Sequence, residues 1–191
     1  MSAPGNSTRI ASDADNASEP EPPERPHSDL HVNIVEEAGD WSAFGAVHDR
    51  IRRAASALAR DPGCDKARGA EAGVVLGSDA LVQRLNGAYR GKDAPTNVLS
   101  FPYQEPPGAE EVDGGAPYLG DVVLAAETIR REAAERGIEP EAHLQHLVVH
   151  GLLHLLGYDH LTDAQAEEME SVEVRILSAV GVADPYAAYS A

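Results

Sequence analysis

Five of the chain's eight histidines fall between His143 and His160, in H-L-Q-H-L-V-V-H-G-L-L-H-L-L-G-Y-D-H. The apolar spacing predicts a helix over residues 141–156, which places His150 and His154 at i and i+4, one turn apart on one face. Two imidazoles so placed reach a single metal ion. Gly157 supplies the backbone freedom to end the helix and turn, so that His160 swings back as a third nitrogen ligand. Three neutral histidines leave a divalent cation its full charge and, in a tetrahedral arrangement, one open position, the pattern of a catalytic zinc site. A closed structural site would need a fourth ligand, for which Asp159 and His146 are the candidates. His143 and His146 lie near the same helical face and are expected as partners or packed neighbours of the ligands.

The spacing of His150, His154, Gly157 and His160 equals that of the H-E-x-x-H-x-x-G-x-x-H signature of zinc peptidases. In those enzymes the residue after the first histidine is the glutamate that serves as general base. Here it is Gly151. A hydrolase built on this site must take its proton relay from elsewhere, and a peptide or amide hydrolase would need another glutamate, such as Glu127 or Glu167, beside the metal.

The elements that carry these residues are readable from pattern. Residues 1–28, rich in Ser, Ala, Asn, Pro and Glu with almost no bulky apolar residue, read as a disordered tail. Order is expected from Leu30, where L-H-V-N-I-V alternates like a half-buried strand with His31 and Asn33 facing out. A helix is expected over Trp41–Arg60, ended by Asp61-Pro62-Gly63, then a strand over Ala70–Leu76. Ser78-Asp79 caps a further helix carrying Leu81, Val82, Leu85 and Tyr89. A polar turn-rich loop leads to a short strand, Val98–Phe101; residues 104–117 read as an exposed loop, and Tyr118–Leu124 as a strand that pairs with the one before it. Glu127–Arg136 forms a helix stopped by Gly137, with Pro140 opening the histidine helix. Thr162 or Asp163 caps a last helix with Met169, Val172, Ile176 and Val180 on its apolar face, and its acids from Glu167 to Glu173 read as a solvated face. The expected class is α+β: a small mixed β-sheet packed with helices, a three-histidine metal site at the end of a central helix, and one domain over residues 29–191.

Totals narrow the function classes. A lone cysteine, Cys64, excludes an internal disulfide and a cysteine metal site, and fits a reducing, cytoplasmic setting. No apolar run is long enough to span a bilayer, so no membrane partner is expected. The net charge of −17 weighs against nucleic acid. What matters at a site, however, is the local field, and a metal with a few arginines makes one groove positive on a negative body.

Three motifs in order carry a family resemblance: L-N-G-A-Y-R-G-K-D-A-P-T-N-V-L-S-F-P from Leu85, L-G-D-V-V-L at 119–124, and H-x-V-V-H-G-L-L-H-L-L-G-Y-D-H at 146–160. With E-M-E and D-P-Y nearer the C-terminus, the sequence from about residue 30 to 190 resembles the YbeY family of bacterial metallo-endoribonucleases. The resemblance implies a single-strand-specific endoribonuclease that matures ribosomal RNA, chiefly the 3′ end of the small-subunit RNA, and serves ribosome quality control. It implies His150, His154 and His160 as ligands of one Zn2+ per chain and Arg90 as the essential arginine. The implied partners are single-stranded rRNA and ribosomal proteins or ribosome-associated factors. A guanidinium fits phosphodiester cleavage because it pairs with two phosphoryl oxygens at once as charge builds on them. Lys92, Thr96, Asn97 and Ser100 follow Arg90 closely and are candidates to line a substrate groove; they are also residue types that simply shape loops. The readings from other classes are a zinc hydrolase of peptide or amide substrates and a non-catalytic, zinc-stabilised ribosome-binding module.

Overall fold

A computed structural model describes residues 29–106 and 115–187. The N-terminal tail, part of the loop expected at 104–117 and the last four residues lie outside these. Four strands, β1 (His31–Glu36), β2 (Glu71–Gly77), β3 (Val98–Pro102) and β4 (Tyr118–Ala125), form one mixed sheet in the order β1-β2-β4-β3. β1 is parallel to β2 and β2 to β4, whereas β3 runs antiparallel to β4 along one edge. Five helices complete the α+β fold: α1 (Val47–Arg60), α2 (Asp79–Arg90), α3 (Ala126–Arg136), α4 (Pro140–Leu156) and α5 (Asp163–Ala179).

Strand alternation sorts the helices onto two faces. Val122 and Leu124 of β4 point into the larger core with Ile51 and Leu58 of α1 and Leu144, Val148 and Leu152 of α4. Val123 and Ala125 point the other way, with Leu99 of β3 and Val82 of α2. α2 therefore covers the face opposite the histidine helix.

α4 is apolar nearly all round, and His143–Val149 and Gly151–Leu153 are buried without a break. Such a helix is stable only inside a protein, between sheet and outer helices. Each fully buried leucine here contributes about 1.5–3 kcal/mol, which offsets the cost of carrying imidazoles along the same helix. Pro140 stands at its first turn, and Gly157 ends it at φ +97°, a left-handed backbone that a side chain disfavours.

The expected Trp41–Arg60 helix is divided. Ser42–Phe44 is a short 3-10 turn, Gly45 breaks it at φ +59°, and α1 starts at Val47. Thr162 caps α5 through a capping box with Gln165, Thr162 Oγ1 accepting from Gln165 N at 3.3 Å and the Gln165 side chain accepting from Thr162 N at 3.1 Å. No helix among the described residues is long and apolar enough to cross a membrane.

Candidate active site

His150 and His154 lie on one face of α4, with Nε2 atoms 3.1 Å apart. His160, exposed on the turn after Gly157, stacks near His150 at 5.4 Å between ring centroids and meets His154 edge-on at 5.1 Å. One nitrogen from each of the three lies within 4.8 Å of the others. The turn is held by three bonds: Asp159 accepts from His160 N at 2.8 Å, Tyr158 O meets His154 Nδ1 at 3.0 Å, and the Tyr158 hydroxyl donates to Gly63 O at 2.8 Å. Asp159 thus shapes the backbone that presents His160.

The partners on the Nδ1 side decide which nitrogen carries hydrogen. His150 Nδ1 lies 2.8 Å from Glu173 Oε1, and His154 Nδ1 faces the Tyr158 carbonyl. A carboxylate and a carbonyl only accept, so both Nδ1 atoms donate and both Nε2 atoms present lone pairs. Two lone pairs facing at 3.1 Å repel each other unless a cation stands before them. Two nitrogens on a tetrahedral ion with bonds of about 2.0–2.1 Å would sit roughly 3.3 Å apart, so the donor set fits a zinc-like ion. Burial, and then the neighbouring His150 and His160, lower the His154 pKa, favouring the neutral ring a metal needs.

Glu173 is the residue that sequence reasoning misplaced. Counted with the solvated acids of α5, it is in fact wholly buried, while Glu167 and Glu168 are exposed. The signal was present: Glu173 follows Met169 by four residues and precedes Ile176 by three, on the apolar stripe. Its Oε2 accepts from His146 Nε2 at 3.3 Å and from the Tyr186 hydroxyl. Burial would push this carboxyl up, but the bonds from His146 and His150, the His146 charge and the Tyr186 hydroxyl together hold it down to about 2. His143 pairs with Glu132 at 2.8 Å, and Asn97 donates to the same Glu132 oxygen at 2.9 Å.

Gly151 explains the absent peptidase glutamate. A Cβ there would lie 2.7 Å from Val122 Cγ1 and 3.3 Å from Ser100 Oγ. The position faces the sheet at its closest approach to α4, leaving no room for a side chain. Glu127 is spent elsewhere, accepting from Asp79 N at 2.8 Å while Asp79 accepts from Thr128 N at 3.0 Å, a reciprocal cap of α2 and α3. Ser100 donates to Gly151 O at 3.1 Å, tying β3 to α4 below His150. Thr96 is half-buried and Lys92 exposed. Arg90 is the last residue of α2, exposed and without an ion pair or side-chain hydrogen bond among the described residues. The body of α2, through Val82, packs on the sheet face opposite α4.

Comparison with known proteins identifies the family. The family profile described as Endoribonuclease YbeY matches residues 41–181. An Endoribonuclease YbeY of Parvibaculum lavamentivorans is 53% identical over 168 residues, covering 84% of this chain and 87% of its own. Those of Rhodopseudomonas palustris strain CGA009 and Bradyrhizobium strain BTAi1 are each 46% identical, covering 82% and 85% of this chain and 80% and 96% of their own. The solution structure of TM1509 from Thermotoga maritima superposes with a TM-score of 0.51 at 25% identity, over 78% of this chain and 88% of that one. With matches of this extent, the chain belongs to the YbeY family of endoribonucleases.

Proposed function

We propose that this chain is a zinc-dependent, single-strand-specific endoribonuclease that matures the 3′ end of small-subunit ribosomal RNA in the cytoplasm and contributes to ribosome quality control. The observation that carries the reading is the pair of Nε2 lone pairs facing each other at 3.1 Å beside His160, in a chain of this family. His150, His154 and His160 would hold one Zn2+, which supplies Lewis-acid polarisation of a phosphoryl oxygen or of water. The neutral rings leave that ion's charge undiminished. Arg90 binds two non-bridging oxygens of the scissile phosphate and stabilises the charge that builds on them.

Because α2, which Arg90 ends, and α4 pack on opposite faces of the sheet, this reading has the RNA pass along the β3 edge. Exposed rings there favour a single strand: Tyr89 is 71% and Tyr103 53% exposed, and they pack edge-on against Phe101 and Tyr118. Stacking on such rings needs unpaired bases. Lys92 would add a phosphate contact, and Thr96 would line the path. Asn97 and Ser100 shape it through their bonds to Glu132 and Gly151.

The test is cleavage of an unstructured RNA and a duplex of the same sequence by zinc-loaded wild type, His154→Ala and Arg90→Ala, with metal content measured in each. Wild type is expected to cut only the single strand, with His154→Ala losing metal and cleavage and Arg90→Ala losing cleavage alone. Equal cleavage by all three would sink the reading.

A further inference from the structure

We propose that Glu173, clamped by Tyr186 and His146, is the positioning residue that presents His150 to the metal, so that the C-terminal segment is a working part of the site. The proposal rests on the metal reading above. His154 has its Nδ1 held by a backbone carbonyl, but His150 depends on one side chain, Glu173, at 2.8 Å. Without that acceptor, a neutral His150 is free to carry its hydrogen on Nε2, where it blocks ligation. An anion behind the ring both fixes the hydrogen on Nδ1 and raises the basicity of the ligating nitrogen.

A carboxylate orients a ring only if it is itself held. Oε1 serves His150, while Oε2 takes two donors, His146 Nε2 and the Tyr186 hydroxyl. Tyr186 comes from the segment after α5: Asp184 accepts from Tyr186 N at 2.8 Å, and the resulting turn sends the phenol back so that its ring meets His146 edge-on at 5.6 Å. This gives the D-P-Y element a purpose, although Tyr186 lies beyond the family match, which ends at residue 181. His146, His150 and Glu173 also have ligating atoms within 4.8 Å of one another. They do not make a second metal site, because each short contact among them already pairs a donor with an acceptor.

The experiment measures zinc affinity by chelator competition on the full chain, with the absorption spectrum of the Co2+-loaded protein and thermal melting alongside, for wild type, Glu173→Gln, Tyr186→Phe and His154→Ala. Glu173→Gln keeps the shape and removes the charge, and should bind zinc about 10- to 100-fold more weakly. Tyr186→Phe should show a smaller loss and an altered cobalt spectrum, and the double variant should be no worse than Glu173→Gln alone, as expected of residues acting in series. Folded Glu173→Gln and Tyr186→Phe with wild-type affinity and spectrum would overturn the proposal; should Glu173→Gln not fold, Tyr186→Phe decides by the same criterion. Wild type that takes up no zinc, or His154→Ala that binds as wild type does, would overturn the metal reading instead.

Discussion

α4 carries two carboxylate–histidine pairs of equal length and opposite burial. Glu132–His143 and Glu173–His150 both measure 2.8 Å. In the first the imidazole is 1% exposed and the carboxylate 24%; in the second the imidazole is 23% exposed and the carboxylate 0%. Where the ring is buried, its other nitrogen, His143 Nδ1, has no hydrogen-bond partner among the described residues. Where the carboxylate is buried, the ring's other nitrogen faces His154 Nε2 at 3.1 Å. Bond length does not separate a structural fastening from a functional one; the surroundings of the second nitrogen do. Glu132 fastens α3 and the loop at Asn97 to α4, whereas Glu173 holds His150, a proposed ligand.

The contrast is most sharply broken by removing one imidazole from each pair's neighbourhood. His154→Ala should bring RNA cleavage to background, while His143→Gln retains cleavage with a lowered melting temperature; equal loss of cleavage in both would erase the distinction. Next, Glu132→Gln should lose about 1–3 kcal/mol in urea denaturation, because it weakens two bonds to a part-buried oxygen, yet keep wild-type zinc affinity, the reverse of Glu173→Gln. A drop in zinc affinity would mean that both pairs serve the metal. Gly151→Ala tests the packing between them: forcing a methyl onto Val122 should destabilise the fold by about 1–3 kcal/mol, and a neutral result would show that α4 can back away from the sheet.

The smallest effect is in pH. Burial lowers the His143 pKa and outweighs the opposing pull of Glu132. A histidine depressed in the folded state contributes stability that is fully present above its unfolded value near 6.5 and is lost as the pH falls toward the folded value. Denaturation at a series of pH values below about 6.5 should therefore show declining stability, by at most about 1.4 kcal/mol per pH unit for this proton, and His143→Gln should reduce the slope. A slope unchanged by that variant would place the proton elsewhere.

Much of this was legible in sequence because periodicity and turn chemistry act locally. The four strands and the helices α3, α4 and α5 were expected within a residue or two, as were the capping of α5 and the stop at Gly157, whereas the break at Gly45 that delays α1 to Val47 and the 3-10 turn at Asp65–Ala67 were not. The histidine triad could be read because i, i+4 spacing on a helix fixes direction. Strand order and the placement of α2 opposite α4 were not legible, since they depend on crossovers rather than local pattern. Glu173 was hidden by its chemistry: a glutamate among glutamates reads as solvated unless its position on the stripe is weighed above its charge. Gly151 was read as a missing base, when the physical cause is Val122 on a strand some thirty residues earlier.

Gly157 divides the proposed ligands by how fast their backbone can open. His150 and His154 belong to a deeply packed helix, whose amides should exchange with solvent only when the whole domain unfolds, whereas His160 sits on an exposed turn that should open by itself. A metal held by these three would then have two fixed ligands and one that can leave alone. Its residence time on the protein would follow the opening rate of the turn at 157–161, far faster than unfolding, and hydrogen exchange of those amides with and without zinc would show the turn slowed while α4 stays as it was.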